Sequence, residues 1–253
     1  MRKQKKDRPL VTISTVSHGD AKKIERLLAS MKRYEQGDQF QVIVTDNLGN
    51  DLPVLNESEW QTLTVIRNKE PLGFAYNQNQ AFQYAVGEYF CVLNPDILFE
   101  QEIFVSLIGW LESGQADIVA PLILDANAIP QDSYRDFPTP FEIIRRRLPG
   151  YRFVSPAIDA TGLVIPDWIA GMFMLMASET FRSLSGFDEK YHLYFEDVDF
   201  CARAKLAGLK LLVDTNVRVF HDAQRASRNN IIYLLWHIQS AIRFFTSSVY
   251  KKL

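Results

Sequence analysis

The feature that most constrains the fold is an alternation of short apolar runs with helical patterns over the first half of the chain. The runs are short, rich in β-branched residues and typical of buried strands: Leu10–Val16, Gln41–Thr45, Leu63–Arg67, Tyr89–Leu93 and Asp117–Pro121. Apolar residues at helical spacing lie between them: Ile24, Leu27, Leu28 and Met31, then 75–85 and 103–111. This alternation predicts an α/β fold with a mainly parallel central sheet flanked by helices.

The second half is less regular. Residues 125–160, rich in Pro, Asp and Arg, predict a long excursion away from the sheet. Asp167–Ala177 predicts one strand, and Phe200–Ala207 predicts a helix that ends at Gly208. Two short strands follow, Leu209–Val213 and Val217–Phe220. The last element is an amphipathic helix over 231–245 with an apolar stripe formed by Ile231, Leu234, Leu235, Ile238, Ile242 and Phe245.

Polar side chains follow three predicted strands directly. His18, Asp46 and Asp96 lie just past strand ends, and the carboxyl ends of parallel strands share the edge where such sheets bind ligands. Asp96 stands in an Asn94-Pro95-Asp96 turn, where the proline restricts the backbone. A carboxylate held there suits Mg²⁺ or Mn²⁺, which take oxygen ligands. Capping of the next helix is the alternative role.

A second acidic cluster is Glu196-Asp197-Val198-Asp199, which follows the aromatic residues Tyr191, Tyr194 and Phe195. Acids at a helix start complement the helix dipole, which accounts for one or two of them. The aromatic residues suggest an apolar-sided cleft, where the pKa of a carboxyl group rises towards that of a general base.

His221 ends the last predicted strand. A lone histidine is commonly structural, but together with Asp96 it forms a plausible Mn²⁺ site.

Composition and absent motifs exclude several classes of protein. The 253 residues carry a net charge of −2, whereas nucleic-acid binders usually have a basic excess, so we expect no nucleic-acid partner. No dinucleotide-binding glycine motif, P-loop or serine-hydrolase elbow occurs. Cys91 and Cys201 form no spaced pair, which indicates a reducing cytoplasm without disulfides or structural zinc. No apolar region follows the basic start, and no run of eighteen apolar residues occurs, so we expect neither a signal peptide nor a transmembrane span.

Several sequence blocks, taken together, carry a family resemblance. They are VTISTVSHGD, VIVTDNLGND, NKEPLGFAYNQNQAF, YFCVLNPDI, DWIAGMFMLMASETFRSLSGFDEKYHLYFEDVDFCARAKLAGLKL and VFHDAQRAS, spanning roughly residues 10–230. In this order they resemble the inverting nucleotide-sugar glycosyltransferases of family 2, which have the GT-A fold. Within that family the chain is most similar to bacterial rhamnosyltransferases of O-antigen and polysaccharide assembly.

The resemblance implies a role for each matching position. Asp197 matches the catalytic base, and Asp96 and His221 match the ligands of a divalent metal, Mn²⁺ or Mg²⁺, with Asn94 in place of the first acid of the DXD motif. Residues implied to bind the nucleotide sugar are Thr15, Ser17, Asp46, Gly73, Phe74, Asn77 and Asn94, with Asp46 accepting from the N3–H of the base. Residues implied to shape or bind the acceptor are Trp168, Gly171 and Glu196.

The same resemblance suggests domains and substrates. It divides the chain into a basic tail (1–9), a GT-A catalytic domain (10–222, with a nucleotide-binding half to about 124 and an acceptor-binding half from about 125) and a C-terminal helical segment (223–253). The expected donor is dTDP-L-rhamnose, and UDP-glucose, UDP-galactose and UDP-galactofuranose stay open. The expected acceptor is a polyprenyl-diphosphate-linked saccharide. A non-catalytic nucleotide-sugar-binding module and a nucleotidyltransferase are the alternative functions.

The charge distribution raises the question of a membrane. Residues 1–8 carry a balance of +4 and residues 218–253 one of +5, which leaves −11 elsewhere. The basic ends, Arg145-Arg146-Arg147 and the aromatic residues Trp236, Phe244 and Phe245 suggest docking on anionic lipid, hence a cytoplasmic protein peripheral to the inner face of the plasma membrane. Solubilising tails and ordinary packing of the last helix on the sheet are the alternatives.

Overall fold

The computed structural model describes residues 8–35, 39–50, 52, 55, 60, 62–145, 156–222 and 231–253. Predictions about most of the basic tail (1–7), about Arg146 and Arg147 and about residues 223–230 therefore lie outside the described residues. The strands are β1 (Val11–Ser17), β2 (Phe40–Asp46), β3 (Thr62–Arg67), β4 (Tyr89–Leu93), β5 (Ile97–Leu98), β6 (Ile118–Leu124), β7 (Tyr134–Arg135), β8 (Leu163–Val164), β9 (Trp168–Ile169), β10 (Phe173–Ala177) and β11 (Leu211–His221). The helices are α1 (Ala21–Tyr34), α2 (Phe74–Phe82), α3 (Phe104–Glu112), α4 (Pro140–Arg145), α5 (Ser178–Ser183), α6 (Glu196–Leu206) and α7 (Ile231–Thr246), followed by a 3-10 turn at Tyr250–Lys252.

One mixed sheet organises the fold. Its strand order is β3-β2-β1-β4-β10-β6-β11-β5, with β8 also paired to β11. β1, β2, β3 and β4 are parallel neighbours, and β6 is parallel to β11. β10 runs antiparallel between β4 and β6, so those two strands point the same way. The predicted α/β class with a mainly parallel sheet is confirmed.

This topology collects the polar residues at one edge. The carboxyl ends of β1, β2, β4 and β11 lie together, which brings His18, Asp46, Asp96 and His221 to the same side of the sheet. Because β10 runs the opposite way, its amino end reaches this edge too. The loop that contains Gly171 therefore lies beside the turn that follows β4, where the Asn94 N–H donates to the Met172 carbonyl at 2.9 Å.

Several element boundaries differ from those predicted. The stretch Asp167–Ala177 is two strands, because the chain turns at Ala170–Met172 after pairing β9 with β7 in a separate two-stranded sheet. Conversely, the two predicted strands before His221 form the single strand β11, whose register with β6 shifts between Asp214 and Arg218. The predicted helix over 200–207 begins earlier, at Glu196.

The buried apolar residues form one large cluster and one small one. Ring contacts join Phe82, Phe90, Phe181, Phe187 and Phe200, with centroids 4.7–5.5 Å apart. A separate small cluster packs α6 against α7 and contains Tyr191, Phe195, Val198, Ala202, Ala241 and Phe244. The second cluster holds α7 beside the carboxyl edge of the sheet.

No helix among the described residues is both long enough and apolar enough to cross a bilayer.

Candidate active site

Two cavities adjoin at the carboxyl edge of the sheet. The large cavity has a volume of about 450 Å³ and the small cavity one of about 210 Å³. The walls of the large cavity come from the ends of β1 and β4, from the start of α2, from the segment that precedes α6, and from α7 itself. They include Val16, His18, Asp20, Asn47, Gly73, Phe74, Asn77, Asn94, Asp96, His192, Tyr233 and Trp236. The walls of the small cavity include Arg135, Ile143, Trp168, Tyr194, Phe195, Glu196, Asp197 and His237.

A glycine fixes the wall of the large cavity at the start of α2. A Cβ atom on Gly73 would lie 2.6 Å from the carbonyl oxygen of His192, so only glycine permits this approach. The N–H of Phe74 donates to the same carbonyl at 3.0 Å. This contact ties α2 to the segment that leads into α6, and it therefore sets the spacing between the two walls.

Buried amides hold α2 and the loop after β2 together. The Nδ2 atom of Asn68 donates to Oδ1 of Asn47 at 2.8 Å and to Oδ1 of Asn77 at 2.7 Å. The Ser14 hydroxyl donates to Oε1 of Gln78 at 2.6 Å. Sequence reasoning singled out only Asn77 among these residues. The others sit in no motif with a recognised chemistry, so their polar character alone gave no signal.

Thr15, Ser17 and Asp46 lie outside the walls of the large cavity. Side chains alternate along a strand, so Val16 and the following His18 face the cavity, while Thr15 and Ser17 are buried away from it. The carboxylate of Asp46 is fully buried and accepts from the N–H of Gly49 at 2.9 Å and from the Arg67 guanidinium at 2.8 Å. The carboxylate thus already accepts hydrogen bonds from its own turn and from Arg67. The contact of Asp46 with a nucleotide base stays a prediction.

Asp96 and His221 are brought into contact from distant parts of the chain. Nε2 of His221 lies 2.9 Å from Oδ1 of Asp96. Lys23 of α1 approaches the other carboxylate oxygen at 3.5 Å and also pairs with Asp20 at 2.7 Å. Burial opposes ionisation of Asp96, but His221 and Lys23 outweigh it and hold the pKa of that carboxyl below its usual value. The carboxylate is therefore ionised at neutral pH.

These groups fit a divalent metal. The Nδ1 atom of His221 lies 2.7 Å from Oε1 of Gln131. When Nδ1–H donates to that acceptor, the lone pair of Nε2 points towards Asp96 and is available to a cation. Oδ1 of Asp96 is buried and lacks a hydrogen bond of good geometry within the described residues. A carboxylate oxygen and an imidazole nitrogen are ligands that Mn²⁺ accepts. No third His, Cys, Asp or Glu joins them in the part of the chain that the structure describes.

Asp197 lies in the small cavity at the start of α6. Its Oδ2 accepts from the N–H of Gly171 at 3.0 Å and its Oδ1 from the N–H of Val198 at 2.8 Å. Burial raises the pKa of Asp197 above its usual value, while these N–H groups and the Trp168 indole partly offset the rise. Trp168 and Asp197 thus line the small cavity, and Gly171 holds Asp197 in place through its N–H. Their role on the acceptor side stays a prediction.

Glu196 has a different environment from its neighbour. It is 5% exposed, and its Oε2 atom has no hydrogen-bond partner among the described residues. Burial, together with the charge of Asp197, raises the pKa of Glu196 well above its usual value. Since Asp197 accepts two backbone N–H groups that favour its anion, Asp197 ionises first and Glu196 keeps its proton.

Backbone strain precedes the acidic pair. Tyr194 and Phe195 both adopt left-handed conformations, with φ of 69° and 67°. Such positions cost on the order of 1–3 kcal/mol each for bulky residues and persist only where packing imposes them. Phe195 packs against Phe244 and His237 of α7, with ring centroids 5.7 and 5.4 Å apart. Packing on α7 thus helps to aim the first turn of α6 into the small cavity.

The two cavities share a thin wall. A Cβ atom on Gly171 would lie 3.1 Å from the Phe74 ring and 3.7 Å from Cβ of Asp197. Phe74 of the large cavity is therefore separated from Asp197 by little more than a glycine.

Sequence reasoning missed Gln131 and Lys23, which touch the Asp96–His221 pair, and Arg135 and His237 of the small cavity. Gln131 and Arg135 lie in the predicted excursion, which offered no periodic pattern.

Comparison with known proteins identifies relatives of the chain. Residues 12–176 match the family model described as glycosyl transferase family 2. The chain is 28% identical to rhamnosyltransferase WbbL of Escherichia coli K12, over 93% of this chain and 92% of that protein. It is 23% identical to N-acetylglucosaminyl-diphospho-decaprenol L-rhamnosyltransferase of Mycobacterium tuberculosis, over 93% of this chain and 83% of that one.

Solved structures share the fold. One is GalNAc-T7, determined with UDP, GalNAc and Mn²⁺, with a TM-score of 0.67 and 15% identity. Another is the mannosyltransferase PcManGT of Pyrobaculum calidifontis with GDP-Man and Mn²⁺, with a TM-score of 0.60 and 19% identity. The alignments cover 94% and 93% of this chain, but about half (48%) and 65% of those chains. The sheet with its flanking helices is thus the GT-A fold, and the chain belongs to glycosyl transferase family 2.

Proposed function

We propose that this glycosyltransferase moves a sugar, L-rhamnose from dTDP-L-rhamnose, onto a lipid-linked saccharide with inversion at the anomeric carbon. One observation carries the proposal: a large cavity with the Asp96–His221 pair in contact adjoins a small cavity with Asp197 in its wall. Two adjoining cavities suit two substrates whose reacting ends meet at the boundary between the cavities. Similarity to two rhamnosyltransferases favours rhamnose over a UDP-linked hexose or galactofuranose.

The large cavity would take the nucleotide sugar. Gly73, Phe74, Asn77 and Asn94 line it, and the N-terminus of α2 adds a partial positive charge that favours a diphosphate. Asp96 and His221 would hold Mn²⁺ or Mg²⁺, which supplies a Lewis acid for the departing diphosphate. Lys23 would add a positive charge beside the same oxygens. GalNAc-T7 and PcManGT, whose structures contain Mn²⁺, support a metal of this kind.

The small cavity would take the acceptor. Asp197 removes the proton of the acceptor hydroxyl as that oxygen forms a bond to the anomeric carbon, and the bond from the anomeric carbon to the diphosphate oxygen breaks on the opposite face. The proton ends on Asp197 and the bonding electrons on the diphosphate. The raised pKa of Asp197 suits it to this task, because a stronger conjugate base accepts the proton more readily. Protonated Glu196 and the Trp168 ring would position the sugar through a hydrogen bond and apolar contact.

The acceptor would be a saccharide on a polyprenyl diphosphate at the cytoplasmic face of the membrane. The mycobacterial relative is named for a decaprenol-linked acceptor, which supports this class. The protein would therefore work as a peripheral membrane enzyme in the assembly of bacterial surface polysaccharide.

A donor panel tests the proposal. We would measure the thermal shift with dTDP-rhamnose, dTDP, UDP-glucose, UDP-galactose and UDP-galactofuranose, each with Mn²⁺, and then the product mass with a short-chain polyprenyl-diphosphate saccharide. We expect the largest shift with dTDP compounds and a product heavier by one deoxyhexose. A hexose increment would exclude rhamnose, and binding without any product would favour a non-catalytic module.

A further inference from the structure

The last helix, α7, packs on the protein through a mixed face. Ser240, Ala241 and Phe244 are buried, and the Ser240 hydroxyl donates to the carbonyl of Leu193 at 2.9 Å. One turn earlier, Trp236 contacts His192 in the wall of the large cavity, with ring centroids 4.7 Å apart. The predicted lipid contact through Phe244 is wrong, because that side chain is fully buried. Trp236 lines the large cavity, and lipid contact through it stays a prediction.

The outward face of α7 is apolar. Ile231, Leu235, Ile238 and Ile242 are 65%, 58%, 42% and 59% exposed, and Ile232 beside them is 50% exposed. Their spacing of four, three and four residues aligns them along one side of the helix for about 16 Å. Among the described residues, α7 packs on the protein through Ala241 and Phe244, while these four side chains do not pack on the sheet. Long contiguous apolar surfaces of this kind mark interaction sites.

The charges near this apolar face favour a lipid bilayer over a second copy of the chain as its partner. Residues 231–253 contain Arg243, Lys251 and Lys252 but no Asp or Glu, although the whole chain is net acidic. Lys251 and Lys252 are exposed in the final turn, beyond the C-terminal end of the stripe. A symmetric pair of copies would cover the stripe with the same patch, which offers these cations no acidic partner from residues 231–253. An apolar face bordered by cations instead fits a bilayer that carries anionic headgroups.

We propose that the exposed face of α7, defined by Ile231, Leu235, Ile238 and Ile242, docks on an anionic phospholipid surface. The opposite face of the same helix contributes Tyr233 and Trp236 to the large cavity and His237 to the small one. One helix diameter, about 10 Å, therefore separates the lipid surface from the two cavities. The lipid-linked acceptor rests on the proposed function, and docking on α7 would present its head group to the small cavity.

Vesicle sedimentation tests the docking surface. The full chain is spun with vesicles of 70% phosphatidylcholine and 30% phosphatidylglycerol, and with phosphatidylcholine alone. We expect binding to the anionic vesicles that weakens in 0.5 M salt. The double variant Leu235→Gln/Ile238→Gln should bind at least tenfold more weakly. The control Val105→Gln removes a still more exposed aliphatic side chain (69%) from α3 and should bind as the wild type does.

Three results would overturn the inference: no binding of the wild type to anionic vesicles, equal binding by the double variant, or a wild-type dimer that the double variant converts to monomer in light scattering. Transfer to a water-soluble short-chain acceptor separates this from the proposed function. Unchanged transfer with lost vesicle binding supports docking through α7. Retained vesicle binding without transfer to any acceptor would refute the proposed function but leave the docking surface on α7 intact.

Discussion

The N–H of Gly171 donates to Oδ2 of Asp197 at 3.0 Å, so the turn before β10 holds the carboxylate that follows two strained aromatic residues. Gly171 also permits the approach of the Phe74 ring from the large cavity. The same short turn thus aims the proposed base and thins the wall between the two cavities. Because Asp197 is held in this way and Glu196 is not, substitutions of the two residues should have different effects.

We predict opposite outcomes for two isosteric changes. Asp197→Asn removes the proton acceptor, so transfer should fall by 10²–10⁴-fold, the range of general base catalysis. Glu196→Gln should keep transfer within about tenfold, because an amide resembles the protonated acid in shape and still donates a hydrogen bond. Steady-state rates measure both, and the thermal shift with dTDP and Mn²⁺ should match the wild type in each variant. The reverse ranking of the two variants would assign the base to Glu196.

The pH profile follows from the environment of Asp197. Burial raises its pKa above the ordinary value of about 4, and the reaction needs the ionised form. The rate should therefore fall on the acid side, with a midpoint above 4, as protonation removes the base. Profiles of kcat/KM in wild type and Glu196→Gln should share this acid limb, since Glu196 is already neutral there. An acid limb that disappears in Glu196→Gln would contradict the assignment.

Gln131 should orient His221, the proposed metal ligand. Its Oε1 atom lies 2.7 Å from Nδ1 of His221, and loss of such a partner typically weakens metal binding 10–100-fold. We predict that Gln131→Leu lowers Mn²⁺ affinity in this range, measured by electron paramagnetic resonance with dTDP present. Gln115→Leu is a matched control, because Gln115 is exposed and bonds only Ser113 within the described contacts. Equal affinities in the two variants would remove Gln131 from the site.

Two glycines provide a matched pair for stability. A Cβ at Gly73 meets the carbonyl of His192 at 2.6 Å, whereas one at Gly109 of α3 meets nothing within 4 Å. Gly73→Ala should therefore cost about 1–3 kcal/mol of unfolding free energy and weaken dTDP binding by displacing α2. Gly109→Ala should add about 0.5–1 kcal/mol, since alanine favours a helix interior. Urea denaturation and nucleotide titration measure the effects, and equal stabilities would show that α2 shifts without cost.

Local pattern predicted the long parallel strands of the sheet and the edge where the candidate site lies, because periodicity and strand direction determine both. It missed the two-residue strands β5, β7 and β8, which are too short to show a period. It did not predict which atoms a polar side chain meets. Asp46 follows its strand as expected, yet its own turn uses the carboxylate. Amphipathicity located α7 but not its orientation, since the face with Ser240 and Phe244 fits the small core cluster while the stripe with Leu235 stays exposed. These outcomes depend on contacts between distant segments.

Glu35 should make the stability of the fold depend on pH. Burial raises its pKa to about 7, although the N–H groups of Ile103 and Phe104 at the start of α3 partly offset this. A folded pKa above the unfolded value, about 4.3, means that the native state binds the proton more tightly. The stabilisation is complete below about pH 4 and is lost as pH rises through 7, by on the order of 3–4 kcal/mol.

Glu35→Gln isolates this contribution, because an amide keeps an acceptor for the Ile103 N–H but does not ionise. The difference in unfolding free energy between variant and wild type should therefore shift in favour of the variant between pH 5 and pH 8. Urea titrations at each pH measure it. Glu25→Gln on the exposed side of α1 is the control and should show a constant difference. A constant difference for Glu35→Gln as well would show that Glu35 ionises in the native state as it does in the unfolded chain.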